Sequence, residues 1–243
     1  MPPTIALRLD HPRLEPGAID RVADILMRPC FANLMRIAAR RRDRTRPYAP
    51  VSRDRLARYA AHRGNDAVVL CGDPEDEASA ELELHRAVSR TVIAIPLYPA
   101  EIPELIAAGV DLATALGATS GFVCAEPDHA AARRVAIGLP EPRGSERRQR
   151  ERRARRSKAE LLGSKLASIE WGIFLGPGHL VQVKLPRLQA MGVFQRIVDL
   201  RPALAFLQLT DDPSDDLDAD FEVTLERARE VMAPMLVDIS DVP

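Results

Sequence analysis

The chain is poor in aromatic residues: one Trp, three Tyr and six Phe among 243 residues, or 4%. No ring interleaves the arginine-rich run Arg147 to Arg156, and only Tyr48 lies near Arg40 to Arg46. Clustered arginine binds phosphate, but without stacking rings these runs lack half of a single-strand platform. Glu146 and Glu151 also break the second run. The formal net charge is -1, which removes any global attraction to nucleic acid or acidic lipid. Nucleic acid is therefore not the expected partner.

Cysteine is scarce too. Cys30, Cys71 and Cys124 are an odd number, widely spaced and without a CxxC pair. Cys71 and Cys124 sit in apolar strand-like runs, so buried free thiols in a reducing cytoplasm are expected. The N-terminal stretch MPPTIALRLDH has neither a basic n-region nor an adequate apolar core, and predicts no signal peptide. No apolar run approaches the ~18 residues of a membrane span.

Motifs that carry chemistry are missing as well. The five histidines form neither HExxH nor any paired ligand spacing, and there is no GxSxG. Gly176-Pro177-Gly178 is not followed by the Lys-Ser/Thr pair of a phosphate loop. Asp216, Asp218 and Asp220 have the first three spacings of a calcium loop. Phe221 then stands where the turn needs Gly, and Arg227 where it needs a bidentate acid. No metal and no cofactor is expected. Cys124 with His129 is a conceivable thiol pair, although Pro127 lies between them. His179, after the flexible Gly-Pro-Gly turn, is the best-placed acid or base.

What is present is a specified central stretch, EWGIFLGPGHLVQV, from Glu170 to Val183. Alternation puts Trp171, Ile173 and Leu175 on one face of a strand and Phe174 on the other. Gly-Pro-Gly stops that strand through the missing donor of Pro177 and the positive φ open to glycine, and PGHLVQV is expected to open a short helix. Trp171 is expected in the core.

Elsewhere, strands are predicted at Thr4 to Leu9, Ala67 to Cys71, Glu81 to His85, Thr91 to Leu97 and Thr119 to Ala125. The pair at 81–85 and 91–97 reads as an antiparallel hairpin, with Pro96 at an edge or strand end. Val193 to Leu200 and Ala203 to Thr210 read as another, around Arg201-Pro202. Helices are predicted at Ala18 to Met27, Phe31 to Ala39, Pro99 to Leu116, Asp128 to Ile137, Ala159 to Ala167 and Phe221 to Met235, with a short turn at Pro186 to Met191. Gly117 and Gly138 are the expected C-terminal caps. Arg40 to Arg58 reads as an exposed connection or frayed helix end. Pro140 to Lys158 contains almost no apolar residue and reads as a linker or solvated helical arm. The result is a single α+β domain over 1–243, a mostly antiparallel sheet with helices packed on it and an exposed basic segment at about 140–158.

EWGIFLGPGHLVQV, then LAFLQLT, then DDPSDDL and a last helix carrying Arg227, Ala228 and the MAPML of Met232 to Leu236, resembles a broad set of bacterial proteins. These are the immunity proteins of polymorphic and type VI secreted toxins, with uncharacterised myxobacterial relatives. The resemblance covers about Glu170 to Asp238. It implies a cytoplasmic α+β protein that binds a cognate toxin without catalysis or cofactor. The long basic segments depart from that pattern. Beside this reading stand a small enzyme with its site near His179 and a nucleic-acid-associated protein using the arginine runs. The residues expected to face a protein partner are Asp211, Asp212, Asp215, Asp216, Asp218 and Asp220, the densest acidic surface of the chain, together with His179.

Overall fold

A computed structural model describes residues 3–12, 16–41, 44–62, 65–73, 80–85, 90–96, 98, 101–139, 145–157, 164–200 and 203–240. Its frame is one eleven-stranded sheet in which every ladder is antiparallel. The strands are β1 (Thr4–Asp10), β2 (Arg36–Arg41), β3 (Arg44–Thr45), β4 (Ala49–Pro50), β5 (Ala67–Cys71), β6 (Glu81–His85), β7 (Arg90–Pro96), β8 (Ser120–Glu126), β9 (Gly172–Leu175), β10 (Arg196–Leu200) and β11 (Leu204–Gln208). Their order across the sheet is β10-β11-β9-β8-β1-β7-β6-β5-β2-β3, with β4 also paired to β2. With helices on both sides of an antiparallel sheet, the fold is α+β.

The first strand shows how its residues sort the two faces. Ile5, Leu7 and Leu9 join a large apolar cluster with α1 (Pro16–Leu26), α2 (Arg53–Ala61) and α3 (Ile102–Leu116). Ala6 faces the other way, into a smaller cluster with Val92, Ala94, Phe122 and Cys124 under α4 (His129–Ile137). The period-2 alternation thus divides one strand between two cores. Ser52 and Asp128 cap α2 and α4 by accepting from the Arg55 and Ala131 amides, at 3.3 and 2.8 Å. Gly117 and Gly138 close α3 and α4 at φ 60° and 88°, as expected of C-terminal caps.

The remaining helices are α5 (Glu146–Ser157), α6 (Pro177–Leu180), α7 (Leu185–Ala190) and α8 (Phe221–Met232). The run predicted helical from Phe31 to Ala39 is a 3-10 turn, Pro29–Phe31, followed by β2. Ile37, Ala38 and Ala39 are consecutively buried, so both faces of this strand are covered and alternation vanishes. Arg40 to Arg58 is not a loose connection either, since it holds the end of β2, then β3 and β4, and the first two thirds of α2. The helix expected over 159–167 falls mostly outside the described residues. Its end, Leu166, makes a parallel bridge to Leu236 instead.

The central stretch behaves as its sequence suggests. Trp171 is fully buried, with its indole N–H donating to Thr210 Oγ1 at 2.9 Å. Phe174 meets Phe206 at 4.7 Å between ring centroids. Gly176, however, is not there for a positive φ: it sits at φ -85°. A Cβ at this position would lie 2.2 Å from the carbonyl oxygen of Thr119. Close passage of two backbones requires the glycine. Gly176→Ala is therefore expected to destabilise by about 2–4 kcal/mol through displaced backbone. Gly192→Ala, where φ is 65° but nothing crowds the Cβ, should cost only about 1 kcal/mol. Equal urea midpoints for the two variants would contradict the close-approach explanation.

Candidate functional site

The acidic stretch after β11 folds back on itself. Pro213–Leu217 is a 3-10 turn whose N-cap, Asp212, accepts from the Ser214 amide at 2.8 Å and from its hydroxyl at 2.7 Å. Asp216 turns inward: its side chain is wholly buried, accepts from the Ala125 amide at 3.1 Å and is ion-paired with Arg148. Asp215 is half-buried. Asp211, Asp218 and Asp220 remain exposed, so three of the six predicted carboxylates form an open rim. His179 does not join them. It is 0% exposed on α6, with Nε2 3.2 Å from the Lys165 carbonyl oxygen. A buried imidazole there is in no position to exchange protons with a solvent-borne substrate.

The basic segment is the largest departure from expectation. Residues 145–157 form α5 apart from its N-cap position, and Arg148, Glu151 and Arg152 are buried on one stripe at i, i+3 and i+4. Glu170, fully buried just before β9, receives Arg148 Nη2 at 2.9 Å, Arg152 Nε at 3.3 Å and the Ser168 hydroxyl at 3.3 Å. Arg152 also reaches Glu126 of β8 at 2.8 Å. On the other flank Glu151 takes both arms of Arg229 at 2.8 Å, and Arg229 continues to Glu222 at 2.7 Å and Glu226 at 3.0 Å. Burial alone would lower the Arg148 pKa. Asp216 and Glu170 reverse that and hold it well above its usual value. For Glu126 burial prevails over Arg152, and its carboxyl is pushed above the ordinary range.

Cys124, Glu170 and Asp216 in this network bring three possible metal donors within 4.8 Å of one another. Their carboxylates are already matched by guanidinium groups, and burial drives the Cys124 thiol far from ionisation. That donor set suits arginine rather than a metal ion. The same holds against a thiol nucleophile at Cys124. Cys30 is likewise pushed up to about 11, by burial and then by Glu104. All three cysteines are free and buried.

A second concentration of charge is open to solvent. Glu81, Glu83 and His85 share the face of β6 that the register aligns with Val92 and Ala94, the face on which α4 packs. With α4 on one side and Arg40, Thr45 and Tyr48 on the other, Glu81 and Glu83 floor a cleft of about 500 Å³. Arg133 of α4 reaches Glu81 at 3.1 Å and Glu83 at 3.3 Å; Arg40 and His85 also pair with Glu83. Burial would raise the Glu83 carboxyl. The His85 hydrogen bond and the charges of His85 and Arg40 outweigh it and hold the group well below the usual range. Alternation in ELELH predicted a wet face here, and that face is the floor of the cleft.

No protein-family model and no curated protein matches the chain. Among solved structures it is similar in fold to the Pseudomonas aeruginosa T6SS protein PA0821, with a TM-score of 0.60 and 11% identity. The match covers 99% of this chain and 75% of that one. Among the described residues no helix is long and apolar enough to cross a membrane.

Two outcomes follow from these charges. Glu170→Ala leaves Arg148 and Arg152 buried with a missing partner and is expected to cost about 3–5 kcal/mol in urea denaturation. Glu146→Ala, at the exposed side of α5, should stay within about 0.5 kcal/mol. A depressed carboxyl stabilises the fold above its unfolded pKa, and that contribution is lost as pH falls toward the folded value. Between about pH 4.5 and 2.5, Glu83→Gln should therefore lose stability with a shallower slope than the parent chain. Identical slopes would mean that Glu83 is not held ionised.

Proposed function

We propose that this protein is a binding protein of a secretion system, and that it neutralises a cognate secreted toxin by direct protein–protein contact. The observation that carries the reading is the fold. Nearly the whole chain superposes on a T6SS protein, and its C-terminal third resembles immunity proteins of type VI toxins. The buried charge network supports a binding rather than a catalytic role, since its groups are engaged with one another. Free buried thiols suit a reducing cytoplasm.

The exposed acids Asp211, Asp218 and Asp220 supply the contact surface. Asp212 and Asp216 do a different job: by capping the turn and anchoring it to Arg148 and β8, they hold that surface in one shape. A toxin that acts on nucleic acid carries a basic cleft, and a preorganised acidic rim competes for it. Rim charges act mainly on the encounter rate and weaken with salt.

Neutralising Asp211, Asp218 and Asp220 together to Asn should slow association with a cognate toxin, sought first among the products of neighbouring genes, by about threefold or more at low salt. Melting should stay unchanged. If the neighbouring product does not bind at all, the toxin reading fails. If it binds with an unaltered association rate, the rim is not its contact surface.

A further inference from the structure

The eleven-stranded sheet ends differently on its two sides. One side closes with β3 and β4, each two residues long, the first opening on Arg44 and the second ending on Pro50. Short strands, a charge and a proline are the usual protection of a sheet edge. The other side ends with β10, five residues that carry Ile197, Val198 and Leu200 and no proline. Among the described residues, seven of the fourteen half-buried apolar side chains packed against the large core lie between Leu180 and Leu200. Val181 and Met191 of the same stretch are 84% and 47% exposed. The core is least sealed beside this strand.

Alternation fixes which backbone groups of β10 look outward. Leu209 donates to the Trp171 carbonyl oxygen at 3.0 Å, and these two residues continue the register of β11 on β9. Ala205, Leu207 and Leu209 therefore bond toward β9, and Leu204, Phe206 and Gln208 bond toward β10. Their partners there are Leu200, Val198 and Arg196. That directs the N–H and C=O of Ile197 and Asp199 away from the sheet. Ile197 has no backbone hydrogen-bond partner on that side among the described residues.

We infer that β10 is the interface between two copies of this chain, paired antiparallel edge to edge into one continuous sheet. A two-fold axis normal to the sheet keeps each face on its own side, so directly opposed residues must share a face. Three registers then engage the middle of the strand. Centring on Asp199 opposes two like charges, and centring on Val198 sets Asp199 against Ile197. Centring on Ile197 lets the two Ile197 backbones exchange both hydrogen bonds and packs their side chains together. It also sets the exposed Gln195 against Asp199 in each half, an amide facing a carboxylate, and Arg196 against Val198. Arg196 and Asp199 leave β10 neutral, so a second copy meets no net repulsion from the strand. In this register the strand is its own complement, and the added strand covers Ile197 and Val198 on both faces.

The test is sedimentation equilibrium of the intact protein from about 1 to 200 μM, where small interfaces associate. The mass is expected to rise from 26.8 kDa toward twice that value. In Ile197→Pro the lost N–H points outward, so the ladder to β11 stays whole and the circular dichroism spectrum should be unchanged. Its dimer should dissociate about tenfold or more readily. Ile197→Cys gives a second readout that does not depend on a proline being tolerated. Opposed Cα atoms about 5.5 Å apart lie within disulfide reach, and the three native thiols are buried. Oxidation should join two Ile197→Cys chains, whereas Asp199→Cys, more than about 13 Å from its copy, should stay single. A monomer at every concentration would overturn the inference, whether the edge then takes a strand of another protein or none. So would a dimer that survives Ile197→Pro, or one that Ile197→Cys fails to cross-link.

Discussion

The Glu170 carboxylate is the point on which the C-terminal half turns. It is buried where the chain enters β9, and it gathers two arginines of α5 and the Ser168 hydroxyl. Almost nothing apolar ties α5 to the sheet: Ala154 is its buried apolar residue among those described. Hydrophobic burial cannot hold such a helix, because each arginine brings a desolvation cost of several kcal/mol. The helix stays because each of the three guanidinium groups in this network has carboxylates from more than one part of the fold. Arg148 spans Glu170 and Asp216, Arg152 spans Glu170 and Glu126, and Arg229 spans Glu151, Glu222 and Glu226. One cross-linked set of charges thus joins α5, β8, the turn after β11 and α8.

That arrangement fixes geometry more than it adds stability. An apolar helix of equal size would bind the sheet at least as well, but with less demand on register. Paired charges penalise a shifted docking, since any slip leaves a buried arginine or acid alone. Asp216 shows the consequence for the surface. By reaching inward to Arg148 and the Ala125 amide it turns a run of six aspartates into a folded turn with three of them outward. Neighbouring identical residues therefore have opposite roles, one set holding the turn and the other presenting it.

Where a residue's pattern reports burial directly, the sequence was legible. Alternation placed β1 and β6, short apolar runs placed β5, β7 and β8, and capping residues closed α3 and α4 at Gly117 and Gly138. The buried Trp171 followed from its position at a strand start. Failures came where burial and residue type part company. Arg148, Glu151 and Arg152 are charged and buried, and a reading that equates charge with solvent puts them outside. Their i, i+3, i+4 stripe was present, but which charged partners would face it is settled only by pairings 18 to 78 residues away. Residues 37–39 failed in the opposite sense, because a strand covered on both faces has no alternation to show. The cleft was half visible: ELELH announced a polar face on β6, whereas the contribution of α4 depends on a packing no local pattern encodes.

One face of the sheet is treated in three different ways along its width. In the middle, α4 seals β7, β1 and β8 with Ala132, Val135 and Ala136, side chains small enough for close approach. Toward β9 the covering is α5, sealed by charge. Toward β5 and β6 no helix among the described residues lies over the strands, and the cleft opens there between α4 and the β3–β4 segment. The two charged regions use the same residue types with opposite consequences, and solvent decides which. Over β8 the pairs are dry, so exchanging a partner means stranding a charge. Over β6 the pairs made by Arg133 are wet, and the cost of parting them is small. Glu83, held ionised between Arg40 and His85, keeps the floor of that cleft in place.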